Sequence, residues 1–282
     1  MNRAERRRQA KVERQQVPRS QAGSSLQVSL ASIKERLQQA DSPVEVQEFI
    51  AVLVSQGLPL VAREELNVYA AQYHETRAAL QDESKMAAVA PLVTNAHAWA
   101  DAMIDRSPER DRRACRAGCA FCCYLPTVLV TAAEAVHLAD WLRRHCSLDE
   151  LSTIRHRLFE RLKAKSASSS SSPTKQPLPC ALLQDNRCVA YSARPLKCRG
   201  WNSMNHEICE QAYGHGQTTR QIPADAYAFT MGNAVLNGLG DGAAHAGCDG
   251  GSYDLSFALA RVLDMPDAVQ RWRNGERLFA EQ

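Results

Sequence analysis

The chain has 282 residues, room for one large domain or two small ones. Its 45% hydrophobic and 23% charged residues are ordinary for a globular chain, and the 6% aromatic share is low. No apolar run reaches the roughly eighteen residues of a membrane-spanning helix; the best, Phe49–Val54 and Ala87–Val93, are far too short.

The N-terminus is basic with no apolar stretch behind it, so it does not read as a secretory signal. The expected location is a reducing compartment, a bacterial cytoplasm, in which ten cysteines call for a role other than disulfides. The net charge of +3 is unevenly spread: residues 1–19 hold Arg3, Arg6, Arg7, Arg8, Lys11, Arg14 and Arg19 against Glu5 and Glu13. The tail is therefore +5 and the rest of the chain −2. Such a tail either touches nucleic acid or an acidic partner, or is simply solvated. With no aromatic among the charges it offers bases no stacking platform, so weak contact is the most expected with nucleic acid.

Residues 1–25 read as a disordered basic tail. Leu26, Leu30, Ile33 and Leu37 then fall on one helical face. Asp41-Ser42-Pro43 breaks that helix and starts another, with Pro43 as its first residue and Val46, Phe49, Ile50 and Leu53 as its stripe. Gly57 ends it, and Pro59 opens a longer helix with Leu66, Tyr69, Ala70 and Tyr73 on one side. A further helix is predicted from about Lys85 to Ile104, interrupted or kinked at Pro91. Residues 26–106 thus form a helical module, the expected surface for a protein partner; no membrane partner is expected.

The cysteine region, 107–212, follows Ser107-Pro108. Tyr124–Val130 reads as a short strand or extended lead-in. Thr131-Ala-Ala-Glu134 and Ser147-Leu-Asp-Glu150 are capping boxes that start two helices. Their stripes are Ala135, Leu138, Ala139 and Leu142, then Leu151, Ile154, Leu158 and Leu162. The Ser-rich stretch 166–177 reads as a flexible loop dividing this region. A C-terminal helical extension, 213–282, has helices over Ala224–Leu239 and Leu255–Leu263, separated by a Gly-rich stretch from Gly238 to Gly251. The expected fold class is mainly α: a helical N-terminal module, then an irregular, metal-stapled, α-rich cysteine-cluster domain.

Four cysteines within nine residues, Cys115, Cys119, Cys122 and Cys123, carry the strongest chemical signal. Thiolate sulfur suits zinc or iron–sulfur clusters, and a short loop delivers several sulfurs to one point. Gly118 fits a loop that needs a positive φ. Cys122 and Cys123, being adjacent, point apart and suit two different centres. Cys180, Cys188, Cys198 and Cys209 bring the total to eight thiolates, enough for two S4 zinc sites or a cluster with spare ligands. Arg116, Arg187, Arg194, Lys197 and Arg199 lie near cysteines in sequence, where they either offset thiolate charge or are ordinary surface charges. Pro195 suggests a fixed turn before Cys198. Cys146 reads as a plain thiol. Cys248, with His245 and Asp249 beside it, is a candidate ninth ligand, and His206 and His215 are candidate auxiliary ligands.

The run Cys115-x3-Cys119-x2-Cys122-Cys123, followed by Cys180, Cys188, Tyr191, Arg194-Pro195, Cys198-Arg199 and Cys209, resembles the YkgJ-type cysteine-cluster family of zinc- or iron-chelating proteins. The resemblance covers about residues 115–210 and implies metal binding by those eight cysteines, with zinc or iron, including a 4Fe-4S cluster, as cofactor. The flagellin lysine N-methylases are similar in their cysteine cluster, which implies protein-lysine methylation from S-adenosylmethionine as an alternative activity. Gly238-Leu-Gly240-Asp-Gly242 is the candidate loop for that cofactor, although no strand pattern precedes it. The Cys115-x3-Cys119-x2-Cys122 spacing is also that of radical S-adenosylmethionine enzymes, but the βα alternation of their barrel is missing. A metal-handling protein is a third reading.

Overall fold

The computed structural model describes residues 29–82, 89–167, 178–214 and 222–279. The expected basic tail and most of the Ser-rich stretch lie outside them. The chain divides into two compact units, Met1–Gln39 and Ala40–Gln282. The first contains helix α1, Leu30–Gln39, with Ile33 and Leu37 on one face. The boundaries expected at 106 and 212 fall inside the second unit.

Among the described residues the chain is mainly helical, with eleven α-helices and four strands of two or three residues. α2, Pro43–Ser55, starts where expected. The Ser42 hydroxyl accepts from the Glu45 N–H at 3.3 Å, and the Glu45 carboxylate accepts from the Asp41 N–H at 2.9 Å. It buries Val46, Ile50 and Leu53 and gives way to Gly57 at φ +100°. α3, Leu60–Gln81, buries the predicted Leu66, Tyr69, Ala70 and Tyr73. α4 runs Val89–Ile104. Pro91 lies near the start of its described part; residues 83–88, on which the expected beginning near Lys85 falls, lie outside the described set.

β1, Leu129–Thr131, leads into α5, Ala132–His145, through the predicted Thr131–Glu134 capping box. α6, Leu148–Ala167, begins with the second box. Its buried stripe is Leu151, Ile154, Leu158 and then Arg161, where Leu162 was expected. β2, Leu183–Gln184, and β3, Arg187–Cys188, form a hairpin. Short helices α7, Leu196–Gly200, and α8, His206–Gly214, follow. α9 spans Ala226–His245; β4, Ser252–Asp254, pairs antiparallel with β1; α10 and α11 are Leu255–Val262 and Ala268–Arg273.

α9 is longer than its sequence suggests. The stretch expected to separate two helices supplies Gly238, Gly240 and Gly242 to the helix interior. Tertiary packing overrides the poor helix propensity of glycine here. α9 lies along α3 so closely that a Cβ at Gly238 would stand 2.6 Å from the Tyr69 carbonyl, and one at Gly242 2.6 Å from the Tyr73 carbonyl. Tyr69 donates to Asp241 Oδ2 at 2.8 Å, and Tyr73 Oη meets His245 Nδ1 at 2.8 Å along the same seam. The same helix packs on α4 and α7, and α10 packs on α5 and α6.

Candidate metal centre

Four stretches of chain deliver the eight cysteines. Cys115 and Cys119 sit on the loop before a single 3-10 turn, Phe121–Tyr124, which carries Cys122 and Cys123. Gly118 takes φ +84°, as the loop reading required, and Cys119 N–H closes a turn onto the Arg116 carbonyl at 3.0 Å. The second stretch docks on the first through its backbone: Cys180 N–H donates to the Cys123 carbonyl at 2.7 Å. The chain then folds back through Asp185-Asn186, both at positive φ (48° and 58°), as a two-residue hairpin turn requires. The hairpin sets Cys188 across from Leu183 and so returns it toward Cys180. Cys198 lies on α7 and the buried Cys209 on α8. Pro195 is extended and caps α7 in place of the turn expected there.

Aromatic rings hold α8 against the 3-10 turn: Phe121 meets His206 edge-on at 5.1 Å, and Tyr124 meets Tyr213 at 4.2 Å. Ser203 ties in the far side. Its N–H donates to Cys115 Sγ at 3.2 Å, its carbonyl accepts from the Ala114 N–H at 2.8 Å, and its hydroxyl, which donates to the Asn205 carbonyl at 3.0 Å, acts to lower Cys209. Nothing in the cysteine spacing pointed to Ser203.

The thiols sort into two neighbourhoods. Burial pushes Cys115 and Cys209 up, and each is raised further by Cys119 and Cys122. Burial likewise raises Cys180, raises Cys188 to about 11 and lifts Cys198 well above the ordinary thiol; Cys180 and Cys188 act on Cys198, and Cys122 acts on all three. Cys122 and Cys123 share a hydrogen bond that holds Cys122 down to about 7 and pushes Cys123 up. Cys180 and Cys198 also act on Cys123. Cys122 is thus the thiol that acts on members of both groups.

Of the five cations expected near the sulfurs, Arg194 is the one that acts on them, lowering Cys122 and Cys188 while its guanidinium covers the exposed Tyr191 ring at 4.0 Å. Arg199 turns away, to Asp101, His97 and the Ser192 and Arg194 carbonyls. Lys197 reaches Asn233 and the Phe229 ring. Arg116 and Arg187 are exposed. Arg161 went unnoticed in the sequence. It is buried on α6, lowers Cys180, and donates to Ser256 Oγ at 3.1 Å, to the Leu125 carbonyl at 3.1 Å and to the Leu178 carbonyl. It braces both flanks of the site, and its sequence signal was a charge on an apolar helical stripe.

The remaining candidates stand apart. Cys146 caps α5. Cys248 is buried with its sulfur 3.9 Å from the Arg273 carbonyl; Asp249 accepts from the Tyr253 hydroxyl, and His245 is engaged with Tyr73. That trio does not form a ninth-ligand site. His206 meets Phe121 edge-on, and His215 lies outside the described residues. Gly238–Gly242, the candidate cofactor loop, is buried helix with no room for a phosphate. All ten cysteines are free thiols. Among the described residues no three His, Cys, Asp or Glu side chains are arranged as a ready-made cage for a metal ion, and no helix is long and apolar enough to cross a membrane.

Beneath the thiols lies a buried polar network. Glu134 Oε1 is 3.6 Å from His97 Nε2, and the His97 and His137 rings meet edge-on at 6.0 Å. Both ring nitrogens of His137 lack a protein partner. Burial, then the neighbouring His97 and Arg144, depress His137 to about 4, outweighing the opposing Asp140 and Glu134. A group depressed on folding stays neutral in the native state while the unfolded chain takes up the proton. Its stabilising effect is complete above about pH 6.5 and is lost as pH falls toward 4. Lowering the pH from 7.5 to 5 therefore costs about 2 kcal/mol through this residue. Urea unfolding of wild type and His137→Leu at both pH values checks it: the variant loses less stability on acidification by that amount, other titrations being common to both chains.

No known protein family, curated protein or solved structure matches the chain.

Proposed function

We propose that this is a metal-binding protein in which Cys115, Cys119, Cys122, Cys123, Cys180, Cys188, Cys198 and Cys209 hold zinc or iron as thiolates. The observation that carries the reading is a set of eight unpaired thiols on four stretches of chain that are tied to one another, by the Cys180 N–H bond to the Cys123 carbonyl and by Ser203 N–H on the Cys115 sulfur. The donor set fits the metal: sulfur alone, soft, and of a number that closes two four-coordinate sites. When bound, the metal would supply a cross-link between the cysteine-bearing segments.

The chain's own groups prepare for it. Arg194 and Arg161 offset part of the thiolate charge, and Ser203 holds Cys115 and Cys209 to one side. Burial keeps most of the free thiols protonated at neutral pH, so metal uptake releases protons and is linked to folding. All-thiolate coordination leaves no open position, which favours a structural or regulatory metal over a catalytic one. The partner surface of such a module is the α2–α3 region, where Val44, Val52, Leu60 and Val61 are exposed.

The test is metal and acid-labile sulfide content of protein purified without oxygen, with its visible spectrum. About two zinc ions per chain and no colour, or iron with sulfide and a brown spectrum, support the reading. A chain that carries no metal and takes up neither ion on addition overturns it.

A further inference from the structure

We propose that Glu134 is a positioning residue for the Cys198 ligand, setting where α7 begins through the second oxygen of its carboxylate. The inference rests on the metal-site reading above.

A capping box needs only one carboxylate oxygen, and this protein shows the comparison internally. Glu150, at the surface, caps α6 with Oε2 alone, accepting from Ser147 N–H at 2.7 Å and Ser147 Oγ at 2.9 Å. Glu134 caps α5 in the same way, with Oε2 accepting from Thr131 N–H at 2.9 Å and Thr131 Oγ1 at 3.1 Å. Yet Glu134 is only 2% exposed, and burying a carboxylate for a cap that a surface residue provides equally well is unfavourable. What burial adds is the other oxygen. Oε1 accepts from the Leu196 N–H at 2.7 Å, across 62 residues of sequence.

Leu196 is the first residue of α7, two positions before Cys198. A five-residue helix satisfies few of its own amide groups, and Pro195 in front of it offers no side-chain cap. Glu134 supplies the missing acceptor. On the other side of Cys198, Arg199 is 6% exposed and donates to the Arg194 and Ser192 carbonyls and to Asp101. The two clamps meet: Arg199 Nη2 is 3.3 Å from His97 Nδ1, and His97 Nε2 is 3.6 Å from Glu134 Oε1. Gly200 closes the helix against Gly232 of α9, where an added Cβ at Gly232 would come within 3.1 Å of the Gly200 Cα. Leu196, two residues before Cys198, and Arg199, directly after it, are therefore pinned to one buried polar network that runs through α4 and α5.

The probe is cobalt(II) added to the full-length apo protein, read as thiolate-to-cobalt charge-transfer absorption and as affinity against a chromophoric chelator. In Glu134→Gln a single oxygen remains for two sets of donors, so one set is lost. The expected result is cobalt binding about 10–100-fold weaker, with charge-transfer intensity reduced by one thiolate's share. Glu150→Gln, which removes the matching cap from α6, keeps wild-type affinity and spectrum. Replacing the Leu196 amide with an ester deletes the donor and leaves Glu134 and the α5 cap intact; it reproduces the Glu134→Gln loss. Wild-type cobalt binding with unchanged spectra and affinities in the Glu134→Gln and ester chains overturns this proposal alone. A wild-type chain that takes up no cobalt overturns the metal reading and this proposal with it.

Discussion

Cys122→Ser removes more bound metal than any other single thiol replacement. The reason is position. Cys115 and Cys209 in one set, and Cys180, Cys188 and Cys198 in the other, are all raised by Cys122. Cys198 acts within one neighbourhood, so Cys198→Ser empties one centre and leaves the other. Cys122→Ser weakens both, because serine oxygen is a hard, weakly acidic donor in place of a soft thiolate. Structural zinc contributes roughly 10–16 kcal/mol to folding in small zinc-binding peptides. Losing this ligand is expected to lower the unfolding free energy of the loaded protein by at least about 3 kcal/mol on that scale. Metal per chain by elemental analysis and the denaturant midpoint check both statements. Cys146→Ser, at the end of α5 and away from the group, leaves both quantities unchanged. Wild-type metal content in the Cys122 and Cys198 variants together would contradict the ligand assignment.

The second large effect is unrelated to metal. Gly238→Ala with Gly242→Ala wedges α9 away from α3. The new methyl at 238 meets the Tyr69 carbonyl at 2.6 Å and Gln72 Cβ at 2.8 Å; the one at 242 meets the Tyr73 carbonyl at 2.6 Å and Thr76 Cβ at 2.7 Å. These neighbours are backbone and Cβ atoms on α3, with no flexible end to swing aside. Overpacking of this kind costs about 1–3 kcal/mol per site, and alanine's better helix propensity returns about 1 kcal/mol at most. The double variant is expected to lose about 2–3 kcal/mol, below the additive maximum of about 4 because one displacement of α9 relieves both contacts. Urea unfolding followed by circular dichroism measures it. A variant as stable as wild type would mean that the seam between the two helices is loose.

Much of the helical framework was legible in the sequence because it is written locally. Ser42-Pro43, Thr131–Glu134 and Ser147–Glu150 are start signals whose donors and acceptors lie within four residues, and they operate as read. The positive φ at Gly118 is local too. What escaped depends on distant neighbours. Gly238–Gly242 looks like a break until α3 is laid beside it, after which the missing side chains are the condition for contact. Arg161 passes for a surface charge on an amphipathic helix until the Leu125 and Leu178 carbonyls close around it. Asp185-Asn186 carries a local hairpin signal, two residues tolerant of positive φ between the short runs that hold Cys180 and Cys188. The cysteines themselves announced sulfur chemistry, but their sorting into two neighbourhoods depends on a hairpin, two short helices and Ser203.

The seam between α3 and α9 also sets the order in which the chain can be completed. Tyr69 and its partner Asp241 are 172 residues apart. At a synthesis rate of about 5–20 residues per second, α3 leaves the ribosome on the order of ten to thirty seconds before α9 exists. During that interval Tyr69 and Tyr73 have no native surface to cover them, and the cysteine-bearing segments emerge in between, before the scaffold behind them is closed. Because the contacts that complete the core are among the most remote in sequence, folding waits on the last quarter of the chain.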